Sequence, residues 1–229
     1  FRLDCLTQLR DALVNDIENI RSQVLAETGS PAGICGPQGP QCDVPISFID
    51  TSLELLKNYN WGRDQGMANF GGLESKRLIE KEAIGVVGCI TPWNVPLQIN
   101  LAKIIPALSA GCSVVLKPAP DTPWSATLIG AAANQTDIPD GIINIVPSSD
   151  PQSIGEQLVN DPRVDMISFT GSTATGRTIM SVAARTVKKV FLELGGKSAN
   201  IILDDADFSQ ALLSALAVCF HAGQGCAIQ

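Results

Sequence analysis

The sequence predicts an α/β protein built on an open, doubly wound, five-stranded parallel sheet, followed by the start of a second α/β domain. Three observations carry that expectation. Short apolar runs at 84–90, 112–116, 142–146, 165–169 and 189–194 alternate with helix-like segments at about 97–109, 123–134, 151–159 and 173–185. The runs are apolar throughout, the pattern of strands covered on both faces. Joined by right-handed crossovers, such strands form an open sheet that binds ligands beyond their carboxyl ends.

Composition agrees. The chain has 229 residues, 45% of them hydrophobic and 17% charged, a globular balance with room for a sizeable core. The net charge of −7 argues against a nucleic-acid backbone or an anionic membrane as main partner. No apolar run reaches the roughly 18 residues needed to span a bilayer, so the chain reads as soluble. Seven cysteines, an odd count, do not form a disulfide scaffold and suit a reducing compartment. The single histidine, His221, leaves no metal site of the usual Cys/His kinds. The chain opens on Phe1 and stops at Gln229 after a helix-like segment, and it reads as a fragment.

Taken in order, Leu3, Leu6, Leu9, Leu13, Ile17, Ile20 and Val24 recur at steps of three and four, an amphipathic helix over 3–25 ended by Gly29 and Pro31. The Gly/Pro-rich stretch 29–45 reads as a long loop whose Cys35 and Cys42 are ordinary free thiols. A second helix is expected near 47–59, then a loop or turn over 60–72. Within the alternating region, Thr122-Pro123 and Asp150-Pro151 each place a capping residue before a proline at the first helical position. A further strand at 199–203 and a helix near 206–220 open something new.

The stretch 166-MISFTGSTATGRTIM-180 poses a question of chemistry. It places Thr170 and Gly171 after the fourth strand and starts a helix at 172–173. Such a junction points free N–H groups and the positive end of the helix dipole outward, where an anion is stabilised. The stretch falls one residue short of the phosphate-gripping pattern G-x-x-x-x-G-K-S/T, with Arg177 in place of the lysine. Arginine's planar fork is not equivalent to that point charge, and such loops usually follow a first strand. The dinucleotide fingerprint G-x-G-x-x-G fails too, because Thr173 replaces its middle glycine. On its own the motif leaves an anion site and a tight packing turn both open.

Three other stretches converge. Asn94 follows a tryptophan just past the first strand in 91-TPWNVP-96. Glu193 precedes two glycines at the end of the fifth strand in 191-FLELGGKSAN-200, and Cys226 sits in a glycine-spaced turn in 221-HAGQGCAIQ-229. A thiol, a carboxylate and a side-chain amide, each at an element end, supply the nucleophile, base and oxyanion donor that thioester chemistry requires. Cys5, Cys89, Cys112 and Cys219 read instead as small buried apolar residues. A Cys226–His221 dyad is the competing account of thiol activation.

With PWN, LKPA, FTGSTATG, ELGGKS and GQGC in this order, the sequence resembles the aldehyde dehydrogenase superfamily. The resemblance covers essentially the whole chain, as roughly half a family subunit. It implies a Rossmann-like cofactor domain over 1–196, comprising N-terminal helices and loops at 1–82 and the sheet core at 83–196. The truncated start of a catalytic domain follows at 197–229. The activity implied is oxidation of an aldehyde to a carboxylic acid through a thiohemiacetal and a thioester. Cys226 matches the nucleophile, Asn94 the oxyanion donor and Glu193 the base that activates water.

For the cofactor, NAD or NADP with NAD favoured, Lys117 matches the lysine that contacts the adenosine ribose. Thr91, Trp93 and Leu194 match positions lining the dinucleotide, and Gly171 to Gly176 match the phosphate turn with Ser172 at the pyrophosphate. His221 becomes structural on this match, and Trp124, Lys197 and Arg177 take supporting roles. Two departures stand out. Pro120 replaces a glutamate that binds ribose hydroxyls, which opens the choice between NAD and NADP. Ser148 replaces a glycine after the N-I-V-P run, narrowing the adenine cleft. The resemblance also implies a homodimer or homotetramer acting on a small aldehyde, while the cysteine usage points to the cytoplasm and the single histidine to no metal. A non-catalytic dinucleotide-binding relative and a P-loop-like nucleotide binder are the alternatives.

Overall fold

A computed structural model of the chain describes residues 1–196, 199 and 201–219. The expected first helix is two helices, α1 (Arg2–Asn15) and α2 (Ile17–Thr28). The break falls at Asp16, whose backbone (φ −100°, ψ 15°) serves as cap to both. Short polar side chains favour such positions because they compete for backbone hydrogen bonds. Gly29 closes α2 in the left-handed region at φ 63°. The 29–42 loop contains one short turn of helix, α3 (Ala32–Cys35), and leads into α4 (Asp43–Lys57).

Of residues 60–72, expected as a loop or turn, 62–70 form a strand and 71–72 the turn of a two-stranded antiparallel hairpin of β1 (Gly62–Phe70) and β2 (Leu73–Glu80). Gly71 and Gly72, at φ 61° and 88°, make its two-residue turn, the backbone that glycine pairs supply at no steric cost. Every residue of β2 is exposed, so this hairpin has no buried face to write a period-two pattern into the sequence.

The five apolar runs form the parallel sheet that they predict. Its strands are β3 (Val86–Ile90), β4 (Ser113–Lys117), β5 (Ile143–Ile145), β6 (Met166–Gly171) and β7 (Lys189–Leu194), in the spatial order β5-β4-β3-β6-β7. Helices α5 (Pro96–Ser109), α6 (Trp124–Ala133), α7 (Pro151–Asn160) and α8 (Thr173–Ala183) connect them. Val87 and Cys89 pack into one core cluster with α1, α2, α4, α5 and α6. Ile90 packs into a second cluster with α7 and α8, with Val86 against it. Alternation of side chains across a strand thus sends β3 into both layers of a doubly wound sheet. Fully buried residues such as Leu97, Ile104 and Leu116 anchor the larger cluster, each stabilising it by roughly 2 kcal/mol.

Three expectations are corrected. The sheet is not covered on both faces throughout: Phe191, Glu193 and Leu194 of the edge strand β7 are exposed. Residues 199 and 201–203 are not in a strand, because no described strand pairs with them; α9 (Phe208–Cys219) does form. Thr122 does not cap α6, since its hydroxyl is buried without a partner. The Glu27 carboxylate takes that role, accepting from Trp124 N and Ser125 N at 2.8 and 3.1 Å. Asp150 does cap α7, accepting from Ser153 N at 3.1 Å ahead of Pro151.

Candidate active site

Parallel register brings the strand ends to one rim. Ile90 pairs with both Lys117 and Phe169, Thr170 with Glu193, and Gly171 with Leu194. Thr91 N donates to Lys117 O at 3.2 Å, extending β3 by one residue into the turn that carries Trp93 and Asn94. Pro96 then opens α5 at its first position, where a missing N–H costs nothing. Trp93 is exposed, Thr91 is buried, and Asn94 is half-buried with its Oδ1 enclosed and unpartnered.

Asn94, Gly171, Glu193 and Leu194, four of the residues singled out in the sequence, line one cavity of about 970 Å³. It lies between α5 and the neighbouring faces of β6 and the exposed edge strand β7, with Phe191 and Met166 on its apolar wall. The cavity also holds a cation that sequence reasoning missed. Lys103, buried on α5, donates from Nζ to Ser168 Oγ at 3.0 Å. Burial pushes its amine down from the usual lysine range, against the opposing pull of the Cys89 and Glu193 side chains. A lone lysine inside the apolar run 96-PLQINLAKIIPALS-109 was the available signal.

The other predicted residues among those described lie outside that cavity lining. Lys117 is buried, donates from Nζ to Pro118 O at 3.0 Å and lines a second cavity of about 490 Å³ with Asn144 and Gln157. Burial pushes its amine down as well. Pro120 is exposed. Ser172 caps α8, accepting from Thr175 N at 3.1 Å, while the first-turn N–H groups of Thr173 and Ala174 have no intrahelical partner. Gly176 is buried, and a Cβ there would stand 2.7 Å from Leu194 Cδ2. Its place in the motif therefore serves close packing of α8 on β7. The Ser148 hydroxyl is engaged locally, accepting from Asp150 N at 3.0 Å and donating to Asp150 O at 2.9 Å. Cys226 and His221 lie outside the described residues.

A second residue that sequence reasoning missed is Gln41, which carries no sequence signal at all. It is fully buried in the 29–42 loop and donates from Nε2 to the Asn94 carbonyl at 3.1 Å.

The strand order and the rim together define a doubly wound α/β protein whose cleft opens at the carboxyl ends of its parallel strands. The chain belongs to the aldehyde dehydrogenase family, whose model matches residues 1–229. It is 37% identical over 227 residues to a 3-succinoylsemialdehyde-pyridine dehydrogenase of Pseudomonas sp, covering 98% of this chain and 45% of that one. The crystal structure of succinate-semialdehyde dehydrogenase from Burkholderia pseudomallei superposes with a TM-score of 0.89 at 35% identity, covering 99% of this chain and 45% of that one. Aldehyde dehydrogenase C of Pseudomonas syringae, a C291A mutant in complex with NAD+ and octanal, superposes with a TM-score of 0.84 at 35% identity, covering 98% and 44%. The chain spans about half the length of the curated relatives it matches.

Proposed function

We propose that the chain is the cofactor-binding part of a nicotinamide-dependent aldehyde dehydrogenase, with NAD the favoured dinucleotide. The observation that carries this reading is the shared cavity of Asn94, Gly171, Glu193 and Leu194 at the ends of β3, β6 and β7. The residues present fit a dinucleotide. The α8 N-terminus offers N–H groups without an intrahelical partner beside Ser172, and Lys117 holds a cationic side chain at the end of β4. Thr91, Trp93 and Pro120 stand along the same rim. The bound group would supply a hydride acceptor. We place the boundary with the catalytic domain between residues 196 and 197.

In this reading the Cys226 thiolate attacks the aldehyde carbon, forming a C–S bond while the carbonyl electron pair moves onto oxygen. Asn94, which lines the cavity, donates from its side-chain amide to that oxyanion. A donor of this kind is typically worth about 3–4 kcal/mol in the transition state. Loss of hydride from the same carbon leaves a thioester. Glu193, exposed at the cavity mouth, takes a proton from water as the water's oxygen attacks the thioester. The C–S bond breaks, and the acid leaves with the thiolate restored.

The test uses a protein of family length. Glu193→Gln should give a burst of reduced cofactor followed by stalled turnover, and Cys226→Ala should bind the dinucleotide without turnover. An unchanged steady-state rate in Glu193→Gln removes Glu193 as base, and turnover in a folded Cys226→Ala protein removes the mechanism.

A further inference from the structure

We infer that Gln41 is a positioning residue for Asn94, its amide fixing the turn that presents the Asn94 side chain to the cavity. The inference rests on the reading of Asn94 as oxyanion donor. The bond from Gln41 Nε2 to Asn94 O, 3.1 Å, spans 53 positions and links the N-terminal loop to the end of β3. The turn it reaches is weakly held from within. Pro96 has no N–H to donate, the cap residue Val95 has no side-chain acceptor, and the first backbone bond from α5 runs from Ile99 N to Val95 O. Asn94 therefore lies one residue beyond the helical ladder, and its carbonyl depends on a partner from elsewhere.

Gln41 is itself fixed in place. Its backbone N–H donates to Ile34 O at 3.2 Å, and Gly39 N donates to Gly36 O at 2.8 Å. A Cβ at Gly39 would stand 2.3 Å from Ile34 O, so the loop is folded back more tightly than any side chain there allows. Cys35 and Cys42 anchor the loop in the larger core cluster. The other end of the Gln41 amide, Oε1, is buried without a partner. Burying an amide oxygen unpaired costs stability, which an apolar residue of equal size avoids. What the amide adds over such a residue is its bond to Asn94. A misplaced donor in an oxyanion site loses rate far out of proportion to its displacement, because stabilisation depends on preorganised geometry.

Gln41→Met keeps the length and volume of the side chain and removes the donor. In a family-length protein it should lower kcat about tenfold, the equivalent of one hydrogen bond's net contribution. Cofactor affinity and aldehyde KM should stay as in the parent. Combined with Asn94→Ala, itself strongly impaired, Gln41→Met should have no further effect, since its influence runs through Asn94. Gln41→Glu gives a separate signature: its carboxylate cannot donate but its protonated form can, so kcat relative to the parent should fall as pH rises through the carboxyl's pKa, which burial raises, and recover below it. An unchanged kcat in Gln41→Met beside an impaired Asn94→Ala overturns the positioning role and leaves the reading of Asn94 standing. Full activity in Asn94→Ala overturns both, and additive losses in the double variant overturn the coupling. Should Gln41→Met fail to fold, Gln41→Glu decides, and a relative kcat that does not change with pH across the carboxyl's titration overturns the proposal.

Discussion

The Glu27 carboxylate caps α6 at Ser125, a helix that begins about a hundred residues further along the chain, accepting Ser125 N at 3.1 Å and Trp124 N at 2.8 Å. One side chain at the end of α2 thereby satisfies two of the orphan donors at the start of α6 and places negative charge at the positive end of its dipole. Because α6 packs against β5 and α5, the cap ties the N-terminal helices to the sheet.

Glu27→Ala removes both bonds and should destabilise the protein by about 1–2 kcal/mol, read as a lower urea midpoint at unchanged slope. Thr122→Val should cost little or nothing, since the Thr122 hydroxyl is buried unpaired. A larger loss in Thr122→Val than in Glu27→Ala would return the cap to the residue that the sequence suggests.

That pair also marks the limit of local reading. Thr122 before Pro123 has the spelling of a cap, yet the acceptor comes from 98 positions away, and no local pattern encodes it. The sheet was legible because β3, β4 and β6 are buried between layers, and burial on both faces writes continuous apolar runs. The hairpin was not legible because β1 and β2 bury almost nothing, although Gly71-Gly72 was a turn signal of the right kind. Asn94 and Glu193 were legible as polar residues at strand ends. Lys103 and Gln41 were not, since one lies inside an apolar helix and the other in an irregular loop, and only tertiary packing brings them to Ser168 and Asn94.

A pH dependence follows from Arg21 and Asp43, which join α2 to the start of α4 through Arg21 Nε donating to Asp43 Oδ2 at 3.0 Å. The hydrogen bond to Arg21 holds the Asp43 carboxyl below the usual carboxylate range. A depressed folded pKa contributes stability above the unfolded value, near 3.9 for aspartate, and that contribution is lost as pH falls through the folded value. Asp43→Asn should therefore lower the urea midpoint at pH 7, and the gap from the parent should close as pH falls below about 4. The pair is partly solvated and screened, so the gap should also narrow in high salt. A gap independent of pH would assign the effect to packing.

Thiol chemistry should separate the cysteines. Cys5, Cys35, Cys42 and Cys89 are buried, and desolvation raises all four thiols, Cys42 and Cys89 to about 12. At pH 8 a thiol of that kind has only about one thiolate in ten thousand, and no access for a reagent. Alkylation of the native, family-length protein followed by peptide mapping should leave these four unmodified until denaturant is added. Cys226, the proposed nucleophile, should label in the native state and be protected by the aldehyde. Native labelling of Cys42 or Cys89 would contradict the burial described.

Gly176 offers the sharpest separation of packing from ligand binding within the phosphate-like motif. A Cβ there meets Leu194 Cδ2 at 2.7 Å and Cδ1 at 3.2 Å, the mobile end of a side chain that is 39% exposed and lines the candidate site. Alanine gains up to about 1 kcal/mol over glycine inside a helix, and Leu194 can rotate away at small cost. Gly176→Ala should therefore leave the melting temperature at or above that of the parent. Displacing Leu194, the neighbour of Glu193, should still weaken dinucleotide affinity several-fold, measured by fluorescence titration of reduced cofactor. Unchanged affinity in the folded variant would show that the second glycine of the motif serves the α8–β7 contact alone, leaving the α8 N-terminus and Ser172 as the motif's part in any phosphate site.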